Sequence, residues 1–97
     1  MNVLLGDVSL KTGQPQNALQ FYQQALLWLL PAWKPASVGA VPAEELLYSE
    51  NTLTDALTGK ADALRLLNKP EMALEHYMAV FMAGRKLRAA FFIQNRG

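Results

Sequence analysis

Apolar and small residues recur along this chain at helical spacing. Most of them are separated by three or four positions within a helical stretch, which places them on one side of an α-helix. The pattern predicts helices near residues 2–13, 15–30, 52–68 and 70–93, with the stripes packed in a core. The stripes are Leu5, Gly6 and Ser9 in the first helix; Ala18, Tyr22, Ala25 and Leu29 in the second; Leu57, Ala61 and Leu64 in the third; and Ala73, Tyr77, Val80 and Gly84 in the fourth.

A ten-residue segment occurs twice in similar form, with an offset of 55 positions. Residues 13–22 and 68–77 share a proline, an Ala-Leu pair and a tyrosine, and Asp7 likewise returns as Asp62. Gly13 and Asn68 are residue types that tolerate a left-handed backbone, and a proline follows each by two positions. Each copy is therefore predicted to be an antiparallel helical hairpin. Such repeated hairpins bury their apolar faces by stacking.

The first copy resembles the tetratricopeptide repeat (TPR). That signature spaces a small residue, a turn glycine, alanine, an aromatic residue, a second alanine and a closing proline at these intervals. The matching residues are Leu5, Gly6, Gly13, Ala18, Tyr22, Ala25 and Pro31, whereas the second copy departs at Ala61, Asn68, Val80 and Arg85. The resemblance implies an all-α fold, a right-handed stack of two TPR-like antiparallel helical hairpins forming part of an α-solenoid.

The distance between the copies indicates an insertion, because TPR units follow one another at about 34 residues. We expect one domain over residues 1–97, with repeat 1 at about 1–30, an irregular insertion at about 31–53, and repeat 2 at about 54–87 with a helical extension to about 93. Within the insertion, residues 43–48 are predicted to form one short helical turn. Residues 53–64 and 84–88 resemble the TPR segments that precede the caspase-like domain of CHAT proteins.

Composition narrows the classes of function. The chain has 97 residues, 52% of them hydrophobic, and a formal net charge of +1, which excludes a strong overall field for nucleic acid or anionic lipid. The absence of cysteine fits a cytoplasmic location. The longest apolar run is far shorter than the roughly 20 residues that cross a bilayer.

No catalytic residue, metal site or cofactor is predicted, so we do not expect an enzyme in these residues. His76 is the sole histidine and lies one position off the apolar stripe, which predicts that it faces solvent. Glu44 and Glu45 are adjacent and cannot face each other as an acid–base pair on one helix. The mixed His, Cys and carboxylate cluster of a transition-metal site is missing from the sequence.

With no catalytic, metal or cofactor site predicted, the function that remains is binding of a protein or peptide on the surface. In TPR arrays the first helix of each unit lines a concave groove, and the resemblance carries this role to Val3, Asp7, Leu10, Lys11, Asp55, Thr58, Asp62, Arg65 and Leu66. Asp7 and Asp62 would repel an acidic chaperone tail. A second interpretation makes these two aspartates helix-face charges without a partner.

The C-terminal segment places Leu87, Phe91 and Phe92 along one side of a helix with basic residues on the other. Stacking of a further repeat, or homodimerisation, is the favoured interpretation of this face, and membrane binding is the alternative. We therefore expect a protein-interaction scaffold that forms part of a longer protein. The alternative function is the regulatory or substrate-recruiting arm of a CHAT-type cysteine peptidase whose catalytic domain lies beyond residue 97.

Overall fold

The computed structural model describes the backbone of residues 2–96 and the side chains of residues 2–85. Within these residues four α-helices follow one another, joined by irregular segments and one turn of 3-10 helix, and there is no strand. The helices are α1 (Asn2–Lys11), α2 (Pro15–Leu29), α3 (Asn51–Leu66) and α4 (Pro70–Arg96), and the 3-10 turn is Glu44–Leu46. The predicted all-α fold is confirmed.

The turns that join α1 to α2 and α3 to α4 have the same geometry. Gly13 and Asn68 both adopt the left-handed backbone conformation, with φ angles of 73° and 63°. The Gln14 N–H donates to the Ser9 carbonyl at 2.8 Å, and the matching bond of the second turn measures 2.9 Å. These bonds satisfy carbonyl groups that the end of a helix leaves open. Each turn therefore closes two contacting helices into a hairpin.

The two hairpins stack through α2 and α3, and Tyr22 lies at the centre of this contact. Its side chain has no exposed surface and lies between Gly6 of α1 and Gly59 of α3. A Cβ atom at either glycine would overlap the tyrosine ring. The two glycines therefore allow three helices to approach one aromatic side chain closely.

The insertion between the hairpins contributes to the core. Trp33 and Leu47 are only 7% and 4% exposed, although the segment is irregular apart from the 3-10 turn, as predicted. At its end the Glu50 carboxylate accepts a hydrogen bond from the Leu53 N–H at 3.0 Å and caps α3. Hydrogen bonds from the N–H groups of Thr52 and Leu53 lower the pKa of Glu50.

Three side-chain positions differ from the sequence prediction. Leu5 is 46% exposed, because no described element packs on that side of α1. Gly84 is also exposed, and no atom lies within 4 Å of the place where its Cβ would be. The prediction that His76 faces solvent is wrong: it has no exposed surface, because the insertion folds over that side of α4 and brings the Ala40 carbonyl to the ring.

Helix α4 continues to Arg96. The side chains of Leu87, Phe91 and Phe92 lie outside the described residues, so the predicted self-association face stays a prediction. Among the helices that the structure describes, none is long and apolar enough to cross a membrane.

Candidate peptide-binding face

Helices α1 and α3 contact each other and carry the nine residues predicted to form a peptide groove. Most of this set is accessible. Val3 differs from the others, since it is 9% exposed and belongs to the core. The exposed residues are Asp7, Lys11, Asp55, Arg65 and Leu66, and the half-buried ones are Leu10, Thr58 and Asp62.

The two repeated aspartates each accept a hydrogen bond from the tyrosine of the following helix. The Tyr22 hydroxyl donates to Asp7 Oδ1, and the Tyr77 hydroxyl donates to Asp62 Oδ1. The interpretation of Asp7 and Asp62 as charges without a partner is therefore wrong. The partners were missed because each hairpin turn brings an aspartate into contact with a tyrosine 15 positions later in the sequence, on the neighbouring helix.

Negative charge is concentrated around the Tyr22 hydroxyl. Burial raises the pKa of Tyr22 most strongly, its hydrogen bond to Asp7 raises it further, and the charges of Asp7, Asp62 and Asp55 add to the effect. Three carboxylates from two helices are therefore close enough to act on one phenol. Such an arrangement attracts a cationic group of a ligand and disfavours an anionic one.

Arg65 partly offsets this charge at one end of the face. Its guanidinium lies 3.8 Å from Asp62 Oδ1 and its Nε donates a long hydrogen bond of 3.5 Å to the Tyr77 hydroxyl. The contact with Tyr77 is the main cause that raises the pKa of Arg65. Among the described residues, Asp7 and Asp55 have no ion-pair partner. Their charge is thus available to a ligand.

An apolar pocket of about 540 Å³ opens at the N-terminal ends of α1 and α3. The indole of Trp28 is 86% exposed at this site, an unusual position for so large an apolar side chain. The pocket is lined by Asn2, Val3, Ala25, Trp28, Leu29 and Thr52. It is large enough to hold one apolar side chain. One signal in the sequence marks this pocket, a tryptophan one position before the apolar stripe residue Leu29.

A second polar cluster is buried between α2, α3, α4 and the insertion. Lys60 has no exposed surface, and its Nζ donates to Gln23 Oε1 at 2.6 Å and to the Ala40 carbonyl at 2.8 Å. Burial lowers the pKa of Lys60 to about 7. Sequence reasoning missed this residue, because a lysine at an apolar helix position does not by itself reveal the acceptors that reach it.

His76 shares the Ala40 carbonyl with Lys60. Its Nε2 lies 3.2 Å from that oxygen and its Nδ1 lies 2.7 Å from the Met72 carbonyl. Burial lowers the pKa of His76, and the nearby charge of Lys60 lowers it further. A neutral imidazole donates only one hydrogen bond, so one carbonyl at a time is satisfied by the ring. The cluster fastens the insertion to α3 and α4, away from the face described above.

Comparisons with known proteins give no match, whether with family models, with curated proteins or with solved structures.

Proposed function

We propose that this chain is a protein-interaction scaffold that binds an extended peptide along the α1–α3 face. The observation that carries the proposal is the exposed Asp7 carboxylate held by the Tyr22 hydroxyl, with Asp55 and Asp62 of α3 near enough for their charges to raise the pKa of that tyrosine. Two of these carboxylates have no ion-pair partner among the described side chains. The ligand is thus a peptide with at least one lysine or arginine, and not an acidic tail.

The apolar pocket refines the proposed ligand. Val3 and Thr52 line the pocket, whereas Asp7 and Asp55 follow one helical turn later on the same two helices. One turn rises by about 5.4 Å, and an extended peptide advances by about 3.3 Å per residue. A large apolar residue in the pocket would therefore place the side chain two positions away over the carboxylates. The proposed motif is apolar, any residue, basic.

Titration of a labelled peptide tests this proposal. The probe is a fluorescent decapeptide with the core Leu-Ser-Lys in a Gly-Ser background, and the measurement is fluorescence anisotropy at low salt. We expect saturable binding that Asp55→Asn weakens by about threefold to fivefold, the usual size of an exposed charge contact. Binding should also weaken as salt is added, because exposed charges are screened.

Two controls separate a specific site from general attraction. A peptide with the core Leu-Ser-Glu should not bind. Glu71→Gln removes an exposed acid from the first turn of α4 and should leave the affinity unchanged. Equal loss in Asp55→Asn and Glu71→Gln, or binding of both peptides, would contradict the proposed site.

We further infer that the two hairpins are TPR-like units in a right-handed stack. The matching left-handed turns, the repeated tyrosine–aspartate bonds and the small residues against Tyr22 support this inference. The alternative role as the recruiting arm of a CHAT-type peptidase stays a prediction, since no described contact bears on it.

A further inference from the structure

One carbonyl oxygen of the insertion faces two buried basic side chains. The Ala40 carbonyl accepts a hydrogen bond from Lys60 Nζ at 2.8 Å, and His76 Nε2 lies 3.2 Å from the same oxygen. The two nitrogens are therefore within about 6 Å of each other, a range in which like charges disfavour one another. Lys60 comes from α3 and His76 from α4, and neither has exposed surface. The insertion thus closes over two groups that can both become cations.

Neither basic group has a carboxylate among its hydrogen-bond partners in the described residues. From α2 the neutral amide of Gln23 reaches Lys60, and from α4 the Met72 carbonyl lies 2.7 Å from His76 Nδ1. Glu75 is the acid whose charge acts on His76, and its effect on the pKa of that ring is the smallest of those that shift it. Positive charge in this cluster is therefore poorly balanced.

The part of the insertion that carries Ala40 is loosely attached. Residues 34–42, here called the strap, follow the buried Trp33 and precede the 3-10 turn. Among the described residues, the hydrogen bonds that join the strap to a helix are those at the Ala40 carbonyl. A pocket of about 200 Å³, which Glu44 and Glu75 also line, opens between the end of the strap and α4. Few hydrogen bonds and incomplete packing are typical of segments that open locally.

The arrangement around His76 indicates where its protons lie. A neutral imidazole has one N–H, and the shorter contact, that of Nδ1 with the Met72 carbonyl, is the one that this N–H makes. A second proton would add a hydrogen bond from Nε2 to Ala40, but it would also bury a second cation beside Lys60. Burial and the charge of Lys60 prevail, so the pKa of His76 is lowered, although Met72, Ala40 and Glu75 act in the opposite direction.

Docking of the strap is therefore linked to protons. When the strap leaves the helices, water reaches the ring and the pKa of His76 returns towards 6.5. Below that pH the docked form binds fewer protons than the released form, so acid favours release. Lys60 already carries its proton in this range, because its pKa in the docked protein is about 7.

We propose that the strap is an acid-sensitive device, which leaves α3 and α4 when Lys60 and His76 both carry a proton, while the two hairpins stay folded. The trigger is the protonation of one side chain, the sole histidine of the chain. The cluster lies away from the α1–α3 face, so release of the strap does not depend on peptide binding there.

The fluorescence of Trp33 reports the state of the strap. Its ring is 7% exposed and lies 5.1 Å from Lys60 Nζ, so water that reaches the ammonium group also reaches the indole. The other tryptophan is exposed, and Trp28→Phe leaves Trp33 as the single emitter. In this background we expect acrylamide quenching of Trp33 to increase from pH 7 to pH 5, since one proton raises the ratio of released to docked strap by up to about tenfold per pH unit. Far-ultraviolet circular dichroism should stay unchanged.

Nuclear magnetic resonance and three variants assign the trigger. The ring protons of His76 give one titration curve, whose midpoint should coincide with that of Trp33 quenching. His76→Gln keeps a donor for one carbonyl but cannot be charged, so it should abolish the acid response. Lys60→Met removes the first cation and should move the response to lower pH. Lys69→Met changes an exposed lysine and is the matched control.

Three results would overturn the proposal. Trp33 that stays shielded down to pH 5, whether or not His76 titrates, would show that the docked strap tolerates acid. Loss of the helical circular dichroism signal in step with quenching would show that the whole protein unfolds. An acid response that persists in His76→Gln would assign it to another group, such as Glu44 or Glu75. The titration curve of the wild-type histidine decides the matter even if a variant fails to fold.

Discussion

The ammonium nitrogen of Lys60 lies 5.1 Å from the centre of the Trp33 ring, inside the protein. Its hydrogen-bond acceptors, Gln23 Oε1 and the Ala40 carbonyl, carry no formal charge. A buried ammonium group without a counterion loses hydration that neutral acceptors and an aromatic face replace only in part. This loss is why the pKa of Lys60 falls to about 7.

Stability should rise from pH 7 to pH 9. Above a pKa of about 7 the folded state releases the Lys60 proton, whereas the unfolded chain keeps it up to its ordinary value of 10.5. The unfolded state therefore binds more protons in this range, and the free energy of unfolding increases with pH, by roughly 2 kcal/mol between pH 7 and pH 9. Urea unfolding at three pH values measures the slope.

Two variants assign this slope to Lys60. Lys60→Met should remove the slope, whereas Lys69→Met, which changes an exposed lysine, should keep it. His76 is a neighbouring group that also titrates, under the influence of Lys60 and Glu75, but its pKa is lowered from 6.5, so its contribution is nearly complete by pH 7 and adds little to the slope above it. A slope that persists in Lys60→Met would show that another group is responsible.

Two glycines in helices should respond oppositely to alanine. Gly59→Ala brings a Cβ atom into the ring of Tyr22, so we expect a loss of about 1–3 kcal/mol in the free energy of unfolding, the usual effect of overpacking. Gly84→Ala meets no atom within 4 Å and gains only helix propensity, so it should stabilise the protein by up to about 1 kcal/mol. Chemical denaturation of both variants provides the comparison.

A double-mutant cycle identifies the cause of the Gly59 effect. If the ring of Tyr22 is the obstacle, Gly59→Ala should no longer destabilise a Tyr22→Ala protein. The same loss in both backgrounds would instead place the obstacle in the helix backbone.

The repeated tyrosines should differ in energetic weight, although the sequence alone predicts the same loss for both. Tyr22 is fully buried between two hairpins, so Tyr22→Ala should destabilise by about 3–5 kcal/mol. Tyr77 is half-buried, and Tyr77→Ala should have a clearly smaller effect. Thermal melts of the two variants test the difference. Equal melting temperatures would mean that Tyr77 is as well packed as Tyr22.

The hairpins could be predicted from the sequence because their signals are local. Gly13 and Asn68 mark the left-handed turns, and the prolines that follow mark the next helices. The constant offset of 55 residues also places Asp7 and Asp62 at equivalent positions of the two copies. Such patterns depend on backbone preferences within a few residues, which do not change with tertiary packing.

Burial could not be predicted where it depends on distant segments. Leu19 and Leu74 occupy the same place in the repeated motif, yet one is 2% and the other 58% exposed, because among the described residues only the first has a further hairpin packed on it. His76 and Lys60 are buried because the Ala40 carbonyl arrives from an irregular segment of the insertion. No periodicity in the sequence encodes that approach.

The proposed peptide site makes one further prediction, in which removal of a positive charge strengthens binding. Arg65 lies 3.8 Å from Asp62 and partly neutralises it. Arg65→Gln should therefore tighten binding of the Leu-Ser-Lys peptide by about twofold to threefold at low salt, and this gain should vanish at high salt. Lys34→Gln, which removes an exposed charge from the insertion, is the matched control. Equal tightening in both variants would mean that net charge governs binding, and no change in Arg65→Gln would place the peptide away from Asp62.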